Sequence, residues 1–107
     1  MKQLCVLGSL HLDVIVNAKN LPQIDETVVG SEVNYVFGGK GGNQALAAEG
    51  HGATVYFIGR VGNDSFGEIL LTTLRNSSVD ISQLKQDSGA SGMSVAIVDK
   101  KGNYSAT

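Results

Sequence analysis

Only one cysteine, one proline and no tryptophan occur in these 107 residues. A lone cysteine, Cys5, excludes an internal disulfide and fits a reducing cytoplasm. It lies in the apolar run Leu4-Cys5-Val6-Leu7 and reads as a buried structural thiol rather than a reactive one. That run is too short for a secretory leader, and no window approaches the ~18 apolar residues of a membrane span. The Asn-x-Ser triplets at Asn63, Asn76 and Asn103 therefore read as chance matches to the glycosylation pattern. Charge is scarce too: 8 Lys and Arg against 10 Asp and Glu leave a formal net charge of −2. With no basic stripe, a nucleic-acid partner is not expected. These absences point to a soluble cytoplasmic chain with neither a nucleic-acid nor a membrane partner.

Glycine, by contrast, is plentiful, with 14 in the chain. Four of them surround a single lysine in the stretch VFGGKGGNQALA, from Val36 to Ala47. Before it, Leu4–Leu7 reads as a strand buried on both faces and closed by Gly8. From Leu10 to Asn17 the pattern alternates, and it alternates again from Thr27 to Phe37, as in strands with one wet face. Asn20-Leu21-Pro22 marks a loop between them. After the glycines a short helix is predicted over Asn43 to about Glu49, stopped by Gly50-His51-Gly52. Val55–Ile58 reads as a second buried strand. A second helix opens at Asp64-Ser65, with Ser65 and Glu68 as a capping box and Phe66, Ile69, Leu70 and Leu74 on its apolar face. Ser94–Asp99 and Tyr104–Thr107 complete the order as a hairpin turned at Lys100-Lys101-Gly102-Asn103.

Buried strands alternating with helices indicate an α/β fold: a layered sheet with helices on its faces. The half-wet strands, about 11–17, 27–37 and part of 94–107, indicate a small β lid beside it. With two or three core strands and long unpaired edges, residues 1–107 are expected to be the N-terminal part of one larger domain.

The glycine cluster fits neither common phosphate-binding pattern. Lys40 is followed by Gly41 rather than Ser or Thr, and Gln44 stands where a dinucleotide fingerprint needs its third glycine. What remains is a loop with backbone amides, one cation, one side-chain amide and a helix start. Such a set suits a polyhydroxylated ligand, whose oxygens need both donors and acceptors. A tight strand-to-helix turn without a ligand is the alternative. His11 and Asp13, two apart on an extended segment past the first strand, share one face. They read as a carboxylate and its neighbour receiving sugar hydroxyls, or as a surface pair; two groups without a third make a weak metal site.

Together these residues resemble the ribokinase-like (PfkB) carbohydrate kinases. Gly38-Gly39-Lys40-Gly41-Gly42-Asn43-Gln44-Ala45, with Gly52 and Gly62 at set distances, is similar to that family's first signature. Gly8 to Asp13, the Pro22…Asp25-Glu26-Thr27-Val28 turn, Gly62-Asn63-Asp64-Ser65-Phe66-Gly67, Val79-Asp80-Ile81 and Ser91-Gly92 also match. The resemblance covers essentially the whole chain.

The resemblance implies transfer of phosphate from ATP to a sugar hydroxyl by a longer parent. The sugar site would comprise His11, Asp13, Gly39, Lys40, Gly41 and Asn43. The catalytic base, the sites for ATP and Mg2+, and any monovalent-cation (K+) site would lie beyond Thr107, so this chain alone would be inactive. His11 stands where the family's ribokinases typically carry asparagine, which bears on the choice of sugar, and Asp25 replaces a usual glycine. The family also implies a homodimer through the lid. A nucleoside kinase of the same fold and a non-catalytic sugar-binding or dimerising module are the alternatives.

Overall fold

The computed structural model describes residues 2–107. The chain divides into two compact units, Met1–Leu12 with Phe37–Gly92, and Asp13–Val36 with Met93–Thr107.

The first unit is built on a three-stranded parallel sheet of β1 (Gln3–Leu7), β4 (Thr54–Gly62) and β5 (Asp80–Asp87), in the order β1-β4-β5. Helices α1 (Lys40–Gly50) and α2 (Ser65–Arg75) pack on it. Both helices cover the same face. Val55, Phe57 and Val61 of β4 are buried with Ala45 of α1 and Leu70, Leu71 and Leu74 of α2. Their alternates on β4, Tyr56, Ile58 and Arg60, are exposed, as period-two geometry requires of a sheet covered on one side.

This arrangement corrects the reading of β1. It is an edge strand with one uncovered face, so Leu4 is 45% exposed, Leu7 is 78% exposed, and Cys5 is an exposed thiol rather than a buried one. In the parallel register Cys5 lies beside Tyr56 and Leu7 beside Ile58, all on the bare side.

The remaining strands, β2 (His11–Ala18), β3 (Gly30–Gly38), β6 (Gly92–Val98) and β7 (Tyr104–Ala106), form a separate four-stranded sheet in the order β3-β2-β6-β7. The hairpin of β6 and β7 is antiparallel with Val98 opposite Tyr104, as the Lys100–Asn103 turn predicts. Asp99 closes that turn by accepting the N–H groups of Lys101 and Asn103, each at 2.9 Å. β3 starts at Gly30, later than the expected Thr27, and is exposed on both faces up to Val36.

Two further departures concern the helices. α1 begins at Lys40, three residues before the predicted Asn43. α2 is capped by Asp64 rather than Ser65: the Asp64 carboxylate accepts the Gly67 N–H at 2.8 Å. Leu71, not Ile69, completes the buried face of α2.

Candidate functional site

Gly39 begins the site. It is the N-cap of α1, with φ 97°, a left-handed backbone that a side chain rarely tolerates. Its neighbours explain the rest of the cluster. A Cβ on Gly41 would stand 2.7 Å from the Cα of Gly8, so the first turn of α1 lies directly on the backbone leaving β1. A Cβ on Gly42 would press on the Phe37 ring, 2.7 Å away, and on Leu10. The Gly42 N–H donates to the Ser9 carbonyl at 3.2 Å, tying helix to strand exit. Protein packing thus accounts for the lack of side chains at Gly41 and Gly42. The expected loop is corrected in one respect, because Lys40, Gly41 and Gly42 are already helical.

What the turn presents is different. The N–H groups of Lys40 and Gly41, at the first two helical positions, have no intrahelical carbonyl to reach. Lys40 and Asn43 are exposed. No acidic residue occupies the first turn of α1 and no basic one its last, so Lys40 sits at the positive end of the macrodipole, the less favourable end for a cation. α2 shows the opposite arrangement, with Asp64 and Glu68 at its start and Arg75 in its last turn. The start of α1 is therefore electropositive at a cost to the isolated helix.

His11 and Asp13 are the first and third residues of β2, both half-buried. Asp13 belongs to the second unit and Gly39, Lys40, Gly41 and Asn43, with His11, to the first. Within the second unit the Ser94 hydroxyl of β6 donates to Asp13 Oδ1 at 2.7 Å. Ser94 was not anticipated from the sequence. Its signal is a single hydroxyl inside the apolar run from Met93 to Val98.

A second polar cluster also escaped the sequence reading, although its members are the matched motif residues. The Asp64 carboxylate accepts the Ser91 N–H at 2.9 Å and the Ser91 hydroxyl at 2.7 Å, besides the Gly67 N–H. Ser91 Oγ in turn accepts the Gly62 N–H at 2.9 Å. The Ser91 backbone bond, the Ser91 hydroxyl and then the Gly67 N–H hold the Asp64 carboxyl below its ordinary range. This knot fixes the Gly89–Gly92 segment where the chain leaves the first unit.

Among the described residues no three His, Cys, Asp or Glu side chains gather as metal ligands, and no helix is long and apolar enough to cross a membrane. A depression of about 460 Å³ lies at the carboxyl end of β1, beside the middle of β4 and β5, lined by Leu7–Leu10, Ile58–Arg60, Gln83 and Lys85. None of the candidate residues lines it.

Residues 1–107 match the family described as pfkB family carbohydrate kinase, and the chain belongs to that family. Among its curated relatives, the ribokinase of Bacillus subtilis (strain 168) is 42% identical over 79 residues, which are 74% of this chain and 27% of the relative. A solved Arabidopsis thaliana ribokinase complexed with ribose and ATP superposes with a TM-score of 0.89 at 28% identity, over all of this chain and 36% of that one. A nucleoside kinase of Methanocaldococcus jannaschii has a TM-score of 0.88 at 21% identity, covering 100% of this chain and 36% of that one, a likeness of fold alone. The chain thus spans about a quarter to a third of the length of these proteins.

Proposed function

We propose that this chain is the sugar-binding portion of an ATP-dependent carbohydrate kinase that phosphorylates a sugar hydroxyl. The observation that carries the reading is the pfkB match over residues 1–107, which includes the GGKGGN turn at the start of α1. In this reading the Asp13 carboxylate is a sugar O–H acceptor within the second unit. Within the first unit, Lys40, Asn43 and the first N–H groups of α1 are donors to sugar oxygens. An anionic or oxygen-rich ligand would also offset Lys40 at the positive helix end. His11, bulkier than the amide of asparagine, narrows the choice of sugar.

In the reaction the sugar oxygen bonds to the γ-phosphorus of ATP, the bond to the β–γ bridging oxygen breaks, and ADP leaves. The hydroxyl proton goes to a base. We assign that base, the ATP site and the sites for Mg2+ and K+ to sequence beyond Thr107, so residues 1–107 alone do not turn over. No step is assigned to a metal held by this chain. The exposed Val29, Val33 and Tyr35 support a homodimer through the second unit's sheet. The reading places the protein in the cytoplasm, where ATP is available.

The test is ADP release by the protein at the length it has in its source cell, assayed against pentoses, hexoses and nucleosides. Turnover of one sugar is the expected outcome, and Asp13→Ala should cost it about 10–150-fold in kcat/KM, the equivalent of one charge-assisted hydrogen bond. Preference for a nucleoside selects the alternative suggested by the shared fold. An intact mass of 11.2 kDa in the cell, with sugar binding but no turnover, overturns the kinase reading in favour of a binding module.

A further inference from the structure

We propose that Ser94 is a positioning residue for the sugar, orienting the Asp13 carboxylate before the ligand arrives. The inference rests on the reading of Asp13 as the group that accepts sugar hydroxyls. Asp13 and Ser94 stand on β2 and β6, neighbouring strands of one sheet within the second unit. The 2.7 Å bond from Ser94 Oγ to Asp13 Oδ1 is short, and both residues are half-buried.

An aspartate carboxylate rotates broadly about its terminal torsion unless something holds it. A charge-assisted O–H···O bond of this length removes that freedom and fixes the plane in which the carboxylate can accept further hydroxyls. The ordering is then complete before binding, and the ligand does not bear its entropic cost. The surroundings favour this role over incidental pairing. Ser94 interrupts Met93, Val95, Ala96, Ile97 and Val98, where a half-buried hydroxyl is unfavourable unless it is bonded. The only hydrogen bond described for its side chain goes to Asp13.

The experiment compares Ser94→Ala, Ser94→Thr and Asp13→Ala in the protein at its native length, with D-ribose and ATP as substrates. Ser94→Ala should raise KM for D-ribose about tenfold, with kcat and KM for ATP within about twofold of the unaltered protein. Ser94→Thr keeps the hydroxyl on a strand-compatible side chain and should recover most of the loss. If Ser94→Ala leaves KM for D-ribose unchanged while Asp13→Ala raises it, positioning by Ser94 is wrong and the role of Asp13 stands. If Ser94→Ala shifts both KM values together and lowers Tm, the bond is structural and the proposal is again overturned. If Asp13→Ala itself changes nothing, or the unaltered protein does not act on D-ribose, the sugar reading falls and this proposal with it.

Discussion

Asp25 has a backbone φ of +63°, the one positive value among the described non-glycine residues. It sits in the turn closed by Glu26 N–H to the Gln23 carbonyl at 3.0 Å, with the Glu26 carboxylate accepting the Gln23 N–H in return. A left-handed conformation is costly for any residue with a Cβ, least so for Asn and Asp, and glycine adopts it freely. Asp25→Gly should therefore be neutral to stabilising by up to about 1 kcal/mol, the strain relieved being partly offset by the freer unfolded chain. A urea midpoint that falls at unchanged m would show that the Asp25 side chain makes a contact worth more than the strain. Gly41 gives the opposite expectation. A methyl group there meets the Gly8 backbone, so Gly41→Ala should destabilise by about 1–3 kcal/mol whether or not a ligand binds. Unchanged stability with lost sugar binding would return the glycine to the ligand.

At the scale of elements, the Asp64 knot makes a pH prediction. The folded-state pKa of Asp64 is lowered, chiefly by the Ser91 N–H and hydroxyl, so its contribution to stability is fully present above the unfolded value of about 3.9. That contribution is lost as pH falls through the folded value. Asp64→Asn should lower Tm at pH 7, and the gap from the unaltered protein should close as pH drops below about 4. A gap that stays constant down to acid pH would mean that the charge is irrelevant to the cap.

The same elements show what the sequence could reveal. β1 and β4 were legible as short uninterrupted apolar runs, α2 by its 3.6-residue period, and the β6–β7 hairpin by its Lys100–Asn103 turn. β5 was not. Its apolar residues, Ile81 and Leu84, are three apart, and both pack against the helix-side core. Alternation cannot place two residues an odd number apart on one face. The bulge that does so, with Asp80 beside Tyr56 but Gln83 beside Ile58, is a property of the pairing and leaves no local mark. The start of α1 was hidden for a related reason. Lys40-Gly41-Gly42 is poor helix-forming sequence, and its first turn is held by contact with Gly8 and Ser9, far away in the chain. Of the candidate site, the motif residues were legible as types. The partners that hold them, Ser94 for Asp13 and Ser91 for Asp64, lie 81 and 27 positions away and come from other elements.

For the molecule as a whole, the consequential feature is the uncovered face of the parallel sheet. The apolar residues of β1 and β4 were written for burial on both sides, yet only the side under α1 and α2 is buried. Leu7, Tyr56 and Ile58 remain exposed in one register-matched group with Cys5. Flanking polar groups temper this patch: Arg60 pairs with Asp87 at 2.8 Å across the same face, and Lys85 lies beside Arg60 in the parallel register. Such a surface ion pair adds little stability, about 0–1 kcal/mol, but it keeps water on one end of the sheet. Contiguous exposed apolar surface on a sheet with an unpaired β1 edge favours self-association. In the 107-residue chain, Leu7→Lys combined with Ile58→Lys should therefore reduce binding of an apolar dye and delay aggregation. Neither side chain is part of the buried core, so the fold should be retained. Light scattering and dye fluorescence at matched concentrations would read both effects. If aggregation is unchanged while the dye signal falls, association runs through the unpaired strand edges, and a lysine substitution on edge strand β3, at Val33, becomes the variant expected to suppress it.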